Sequence, residues 1–262
     1  MSKTQGELTA CLKELHLPTI RACYAELADS ARGEQLSYEE YLLELMQREC
    51  QGRRENRVQR LLRESRLPLA KGLSAFDLKR LPGKVSAVVR TLVEGGFVDR
   101  RENVLAFGNP GSGKTHLLCG IGQELVRAGR TVFFSSTHLL VQDLLLAKRE
   151  LKLPRTIKRL SGYQVLILDD LGYVQQSREE MEVLFTLLAE RYERGSVMIT
   201  SNLPFSKWES IFKDAMTTAA AIDRLVHHSV ILELNLPSYR VEQAKKSKAA
   251  AVPAEASTEA QK

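Results

Sequence analysis

The sequence predicts an α/β domain with a central parallel sheet, preceded by a small all-helical N-terminal domain, and three observations predict it. Residues 8–62 carry helical apolar spacing with Pro18 as their one proline. From about residue 103, short apolar runs alternate with amphipathic stretches, the signature of a parallel sheet with helical crossovers. A glycine-rich turn directly follows the first of those runs. The 262 residues suffice for one well-cored domain plus a smaller one. With 44% hydrophobic, 27% charged and 6% aromatic residues, disordered, collagenous and coiled-coil classes are excluded. No apolar run approaches the length of a membrane span, and MSKTQGELTACLKEL carries Glu7 and Glu14 without an apolar signal core. The expectation is a cytoplasmic protein without a membrane partner. No period of repeat length recurs.

In the helical part, Leu8, Cys11, Leu12 and Leu15 repeat at helical spacing until Pro18, and a second helix is expected from Ile20 to Ala31, before Gly33. A third starts after Ser37, with Glu40 in capping-box position and Tyr41, Leu42, Leu45 and Met46 as its apolar face. The strands expected are Val104–Phe107, Thr131–Ser135, Val165–Leu168, Val197–Thr200 and Val230–Leu234. Between them, helices are expected over Lys114–Ala128, ended by Gly129, and Glu179–Arg194, ended by Gly195 and capped by Ser177 with Glu180. From Ala244 the chain lacks large aliphatic residues beyond Val252 and reads as a disordered tail. The division expected is 1–66 helical, 67–243 α/β and 244–262 tail.

Cys11, Cys23, Cys50 and Cys119 form no CxxC pair, and His227 and His228 have no third ligand at metal spacing, so reduced thiols and surface or packing imidazoles are expected. The net charge is +6, yet residues 48–101 hold fourteen Lys/Arg against six Asp/Glu. Arg48, Arg53, Arg54, Arg57, Arg60, Arg63 and Arg66 crowd one stretch, with Arg53, Arg57 and Arg60 on one helical face. Lys148, Arg149, Lys152, Arg155, Lys158 and Arg159 form a second cluster, broken by Pro154. Such faces neutralise phosphates without reading bases, so duplex DNA is the partner they suit, against an ordinary solvated face. Aromatic platforms for single strands are absent from these clusters.

Gly108, Asn109, Pro110, Gly111, Ser112, Gly113, Lys114 and Thr115 match G-x-x-x-x-G-K-[ST] between an expected strand and an expected helix. Glycines there let backbone N–H groups and the helix N-terminus cradle phosphate oxygens, as in ATP. Lys114 is placed to reach the β- and γ-phosphates and the Thr115 hydroxyl to bind magnesium. An apolar strand, Val165–Leu168, then delivers Asp169 and Asp170, the first suited to magnesium and the second to polarising an attacking water. Asp170 is one methylene shorter than the glutamate often found there, which suits slow basal hydrolysis. Val197–Thr200 ends in Ser201 and Asn202; Asn202 reads either as a γ-phosphate sensor or as a turn residue ahead of Pro204. Arg224 lies too far along the chain to be placed at its own nucleotide. It either completes a neighbour's site or pairs with Asp223.

The segments GNPGSGKTHL, LILDDLGY, TSNLPFSKW with Trp208, AAIDRLVHHS and LPSYR together resemble the IstB family of transposition helper ATPases. That family is related to the DnaC helicase loaders within the AAA+ class, and the resemblance spans residues 5–242, including LHLPTIRACYAELA. It implies an AAA+ P-loop ATPase that binds ATP, oligomerises on target duplex DNA, bends it and recruits a partner transposase, with hydrolysis resetting the assembly. It further implies that Gly108 to Thr115 bind nucleotide, Asp169 binds magnesium, and Asp170 is the acidic catalytic residue. Asn202 becomes a sensor, Arg224 an arginine finger supplied in trans and Arg240 a second sensor. No separate helical lid is expected after residue 242, a departure from the general AAA+ layout that bears on Arg240.

Two other functions fit the same core. A replicative helicase loader would prefer single-stranded DNA and dock a helicase through its N-terminal module. A nucleotide-gated scaffold would bind ATP and assemble with scarcely any hydrolysis.

Overall fold

Pro18 lacks an amide proton, which suits the first turn of a helix, where no intrahelical acceptor exists. The computed structural model uses it there; it describes residues 3–173, 177–212, 214–239 and 241–242. The chain divides into two compact units, Met1–Leu61 and Leu62–Lys262. The N-terminal unit holds α1 (Lys3–Glu14) and α2 (Pro18–Glu34), and α3 (Tyr38–Ser65) begins in it. Leu12, Ile20, Leu27 and Leu45 are its buried core, with Leu17, Cys23, Tyr24 and Tyr41 packed around them. The apolar stripe is narrower than its spacing suggested: Leu8, Leu15, Leu42 and Met46 are exposed. A unit this small has little interior to offer each helix. Nor does Gly33 end α2. The helix runs on to Glu34, and Gln35 takes the left-handed conformation (φ 53°) with its amide bonded to the Ala31 carbonyl.

The Ser37–Glu40 capping box forms as expected. The start of α2 is capped from elsewhere: Glu49 of α3 accepts the amides of Thr19 (2.9 Å) and Ile20 (3.1 Å) and pairs with Arg53 at 2.9 Å. Burial works against the Glu49 charge, but Arg53 and these two amides outweigh it and hold the carboxyl below the usual carboxylate range. Glu49→Ala strands both amides and is expected to cost about 2 kcal/mol. A depressed folded pKa contributes stability that is present above the unfolded pKa and lost as pH falls through the folded one. Urea unfolding of the full chain should therefore show a gap between wild type and variant near neutral pH that closes in acid. A constant gap would remove the carboxylate from this role.

The C-terminal unit opens with two 3₁₀ turns, Leu73–Ala75 and Leu78–Arg80, then α4 (Gly83–Val93) and α5 (Gly96–Asp99). There follow β1 (Asn103–Phe107), α6 (Lys114–Arg127), β2 (Val132–Ser136), α7 (Thr137–Arg149), α8 (Leu153–Ser161) and β3 (Val165–Leu171). The series closes with α9 (Arg178–Arg191), β4 (Ser196–Ser201), α10 (Glu209–Phe212), α11 (Ala215–Val226) and β5 (Ser229–Glu233). All five strands pair in parallel in the order β2-β3-β4-β1-β5. β1, β3 and β4 are buried along nearly their whole length, with apolar residues at their centres, because both faces of the sheet are covered. The strands fall within a residue or so of the expected runs, except that β3 continues through Asp169 and Asp170 to Leu171 with a bulge against β4.

The helix α9 carries the expected Ser177–Glu180 box but stops at Arg191, not Arg194. The backbone leaves helical geometry at Tyr192 (ψ 125°), just after Arg191, whose buried guanidinium donates to the carbonyls of Tyr163 (2.6 Å), Gln164 (3.0 Å) and Ser196 (2.9 Å), tying α9 to the starts of β3 and β4. Burial lowers its pKa to about 10. The expected tail from Ala244 and Arg240 lie outside the described residues. Among the described residues no helix is long and apolar enough to cross a membrane.

Candidate functional site

The order β3-β4-β1 brings three strand ends side by side, and the expected chemistry stands on all three. In open parallel sheets the crevice outside the carboxyl ends of the strands is where ligands bind. Residues 108–113 turn from β1 into α6. Gly113, at φ 97°, caps the helix, and a Cβ on it would meet the Phe76 ring at 2.8 Å. A Cβ on Gly108 would lie 2.2 Å from the Leu234 carbonyl oxygen, so neither position admits a side chain. Lys114 is 6% exposed, and its Nζ donates to the carbonyls of Gly108 (2.8 Å) and Asn109 (3.0 Å).

A pocket of about 390 Å³ opens here. Pro110, Gly111, Gly113, Lys114 and Thr115 line it from the loop, Asp170 from the end of β3 and Asn202 from the end of β4. Ser112 is buried beneath, its hydroxyl without a partner among the described residues. Asp169 is also buried; its Oδ1 accepts the Thr200 hydroxyl at 2.6 Å and its carbonyl accepts the Thr137 hydroxyl at 2.9 Å. The bulge places Asp170 at φ 59°, in the left-handed region that aspartate adopts more readily than most side chains. Asn202 thus lines the pocket and also stands in a turn. Ser201 makes that turn by bonding the Leu171 and Leu203 carbonyls, and buried Trp208 fixes it through Nε1 to Leu203 (3.1 Å).

Lys71, Ala75, Phe76, Asp77, Arg80, His116, Tyr173 and Tyr239 complete the lining, and sequence reasoning assigned a role to none of them. His116 Nε2 lies 3.0 Å from the Gly72 carbonyl and the ring meets Phe76 edge-on. Arg80 bonds the Pro237 carbonyl and Glu242 and lies over the Tyr239 ring at 5.1 Å, while the Tyr239 amide bonds the Gly111 carbonyl. The segment before α4 and the segment after β5 therefore meet at the loop. The 3₁₀ turns before α4 are too short to carry periodicity, so the signal available there was the cationic and aromatic content of Lys71, Phe76 and Arg80.

Arg224 stands apart. Asn103, at the start of β1, bonds the Leu225 and His228 carbonyls, which sets the end of α11 at the amino edge of the sheet, opposite the pocket. Its guanidinium lies 4.8 Å over the Phe185 ring, and Nη1 is buried without a partner among the described residues. With Arg100, Arg101, Tyr192, Glu193 and His228 it lines a separate cleft of about 260 Å³. Glu193 corrects the expectation that no third ligand accompanies the histidines. Its carboxylate and the rings of His227 and His228 offer ligand atoms within 4.8 Å of one another, all exposed. Glu193 is distant in sequence and arrives through the turn into β4. The guanidiniums lining the same cleft oppose a cation there, and Tyr192 already bonds His227 Nδ1 at 3.1 Å.

Of the basic residues, Arg155, Lys158 and Arg159 project from α8 opposite buried Ile157 and Leu160, with Lys152 just before them. Lys152 pairs with Glu150, and Lys148 with Glu182; Arg149 is exposed. In α3, Arg54, Arg57 and Arg60 are exposed, whereas Arg53 is engaged by Glu49 and the His16 carbonyl.

Comparison with known proteins agrees with this geometry. The family model described as IstB-like ATP binding protein matches residues 10–249. An insertion sequence ATP-binding protein of Sinorhizobium fredii is 40% identical over 93% of this chain and 82% of its own length. The insertion sequence IS21 ATP-binding protein of Pseudomonas aeruginosa is 39% identical over 92% of this chain and 91% of its own. Among solved structures, a DnaC helicase loader aligns with TM-score 0.51 at 22% identity, covering 57% of this chain and 88% of that one. AMPPCP-bound DnaA from Aquifex aeolicus aligns with TM-score 0.54 at 18% identity, covering 74% and 59%. These two likenesses show a shared AAA+ fold.

Proposed function

Because the chain belongs to the IstB-like ATP binding protein family, we propose that it is an ATP hydrolase that assembles on target duplex DNA and serves a partner transposase. The observation that carries this reading is the meeting of Lys114, Thr115, Asp170 and Asn202 in one pocket at three adjacent strand ends. ATP takes that pocket with its phosphates along Gly108 to Thr115, where loop amides and the α6 N-terminus face the charge. Lys114 anchors the β- and γ-phosphates, Asp170 accepts the proton of the attacking water and Asn202 orients that water against the γ-phosphate. The Thr115 hydroxyl and the Asp169 carboxylate are hard oxygen donors that suit magnesium, which when bound neutralises charge on the phosphate oxygens. Arg224 acts on a neighbouring copy's nucleotide, and Arg240 is a second sensor.

Duplex DNA is contacted in the C-terminal unit by Lys148, Arg149, Lys152, Arg155, Lys158 and Arg159, and the N-terminal unit offers phosphate contacts of its own through Arg53, Arg54, Arg57 and Arg60. Replacing both Arg155 and Arg159 by alanine is expected to weaken binding to any duplex sequence alike. It should also flatten the slope of log K against log salt by about 2, since each lost phosphate contact removes about 0.9. An unchanged slope would return α8 to an ordinary solvated face.

The whole reading is tested by light scattering of the chain with a duplex several turns long, with and without ATP and magnesium. A large complex that needs both nucleotide and duplex is expected. A small particle that prefers single strands would instead favour the helicase-loader function, and assembly without turnover would favour the scaffold.

A further inference from the structure

We infer that Thr200 is a positioning residue for ATP hydrolysis, its one hydroxyl setting both carboxylates at the end of β3. The inference rests on the ATPase reading above. Thr200 is fully buried in β4, between β3 and β1. Its Oγ1 donates its proton to Asp169 Oδ1 at 2.6 Å and accepts the Asp170 amide at 2.8 Å. The two contacts do different things.

The first fixes the rotation of the Asp169 carboxylate. One oxygen is committed to Thr200, and Oδ2 takes no hydrogen bond among the described residues, which leaves it for an incoming cation. The Thr137 hydroxyl holds the same residue through its carbonyl, so Asp169 is clamped at both ends. The second contact repairs the ladder. The bulge between Leu168 and Leu171 takes Asp170 out of regular pairing with β4, and an inward amide there would lack an acceptor. The Thr200 hydroxyl is that acceptor, and it helps keep Asp170 at φ 59° with its carboxylate on the pocket side. Threonine suits the task because its β-branch leaves few χ1 rotamers in a strand, so the hydroxyl is aimed before ligand arrives.

The test is steady-state hydrolysis by full-length Thr200→Val and Thr200→Ser across a magnesium titration, with nucleotide binding measured in EDTA and thermal unfolding alongside. Valine keeps the shape and removes both contacts. Expected for Thr200→Val is a kcat about tenfold lower or less still, a severalfold higher magnesium concentration for half-maximal rate, and unchanged magnesium-free nucleotide binding. Thr200→Ser should recover most of the rate and the wild-type magnesium requirement. Should the valine variant not fold, Thr200→Cys, with a weaker donor and acceptor, should show the same shift in magnesium requirement. A folded Thr200→Val with wild-type kcat and magnesium dependence overturns the inference alone. So does a loss that only follows the folded fraction. A wild-type chain that turns over no ATP with duplex DNA and transposase present overturns the parent reading and this inference with it.

Discussion

Lys114→Ala is expected to weaken ATP binding about 10- to 100-fold, the range that losing one charge-assisted hydrogen bond to phosphate implies. ATP-dependent assembly on duplex DNA should then disappear. The argument is geometric as well as electrostatic. Lys114 is the first residue of α6 and almost fully buried, and its Nζ is held by the Gly108 and Asn109 carbonyls at the mouth of the loop. A charge so placed loses little side-chain entropy on meeting a phosphate, so most of its attraction appears as affinity. Alanine fits the helix without strain, and its methyl leaves the α6 packing intact. Thermal unfolding should therefore shift far less than nucleotide affinity. Titration with a fluorescent ATP analogue reads the first effect and light scattering with duplex the second. Normal assembly of Lys114→Ala at wild-type ATP concentrations would remove this lysine, and with it the loop, from the proposed role.

What the sequence made legible follows from how local each feature is. The loop 108–115 and the Asp169–Asp170 pair are continuous in the chain, and each sits at the end of a short, β-branched or apolar run whose length suits a buried parallel strand. Their meeting in one crevice then follows from parallel order. Lys71, Phe76, Arg80 and Tyr239 reach the same pocket by packing between segments more than 150 residues apart, as the Arg80 bond to Pro237 shows. No spacing rule encodes that. Glu193 beside His227 and His228 escaped for the same reason. In the helical unit the errors are of another kind. Leu42 and Met46 satisfy helical periodicity, but periodicity reports a possible apolar face, while burial depends on a neighbour wide enough to cover it. Gly33 reads as a stop, yet α2 tolerates it for about 1 kcal/mol and turns at Gln35.

Arg224→Ala is expected to bind ATP as wild type does and to hydrolyse it about 10³-fold more slowly, the usual worth of an arginine that meets the transferring phosphoryl group. Its place in the fold decides how it can act. Arg224 precedes β5 at the amino edge of a sheet whose carboxyl edge carries the proposed nucleotide pocket. A five-residue strand such as β1 separates the two edges by about 16 Å. It therefore cannot touch its own nucleotide, and the cleft that it lines with Arg100 and Arg101 is the surface through which it would meet one supplied from outside. The pocket and the Arg224 cleft are different surfaces, so copies joined through them associate head to tail and build rings or open helices rather than closed two-fold dimers. This gives a test that an inward structural role cannot pass. Asp170→Asn lacks the acidic residue but keeps the finger; Arg224→Ala lacks the finger but keeps the acid. Each alone should be inactive. In an equal mixture, random neighbours place an intact Asp170 beside an intact Arg224 at about a quarter of the interfaces, and turnover should return towards that fraction of wild type. Arg224→Lys should restore little, because an ammonium lacks the planar fork. Mixtures that stay inactive while both variants still co-assemble on duplex DNA would exclude a finger in trans and confine Arg224 to its packing against Phe185.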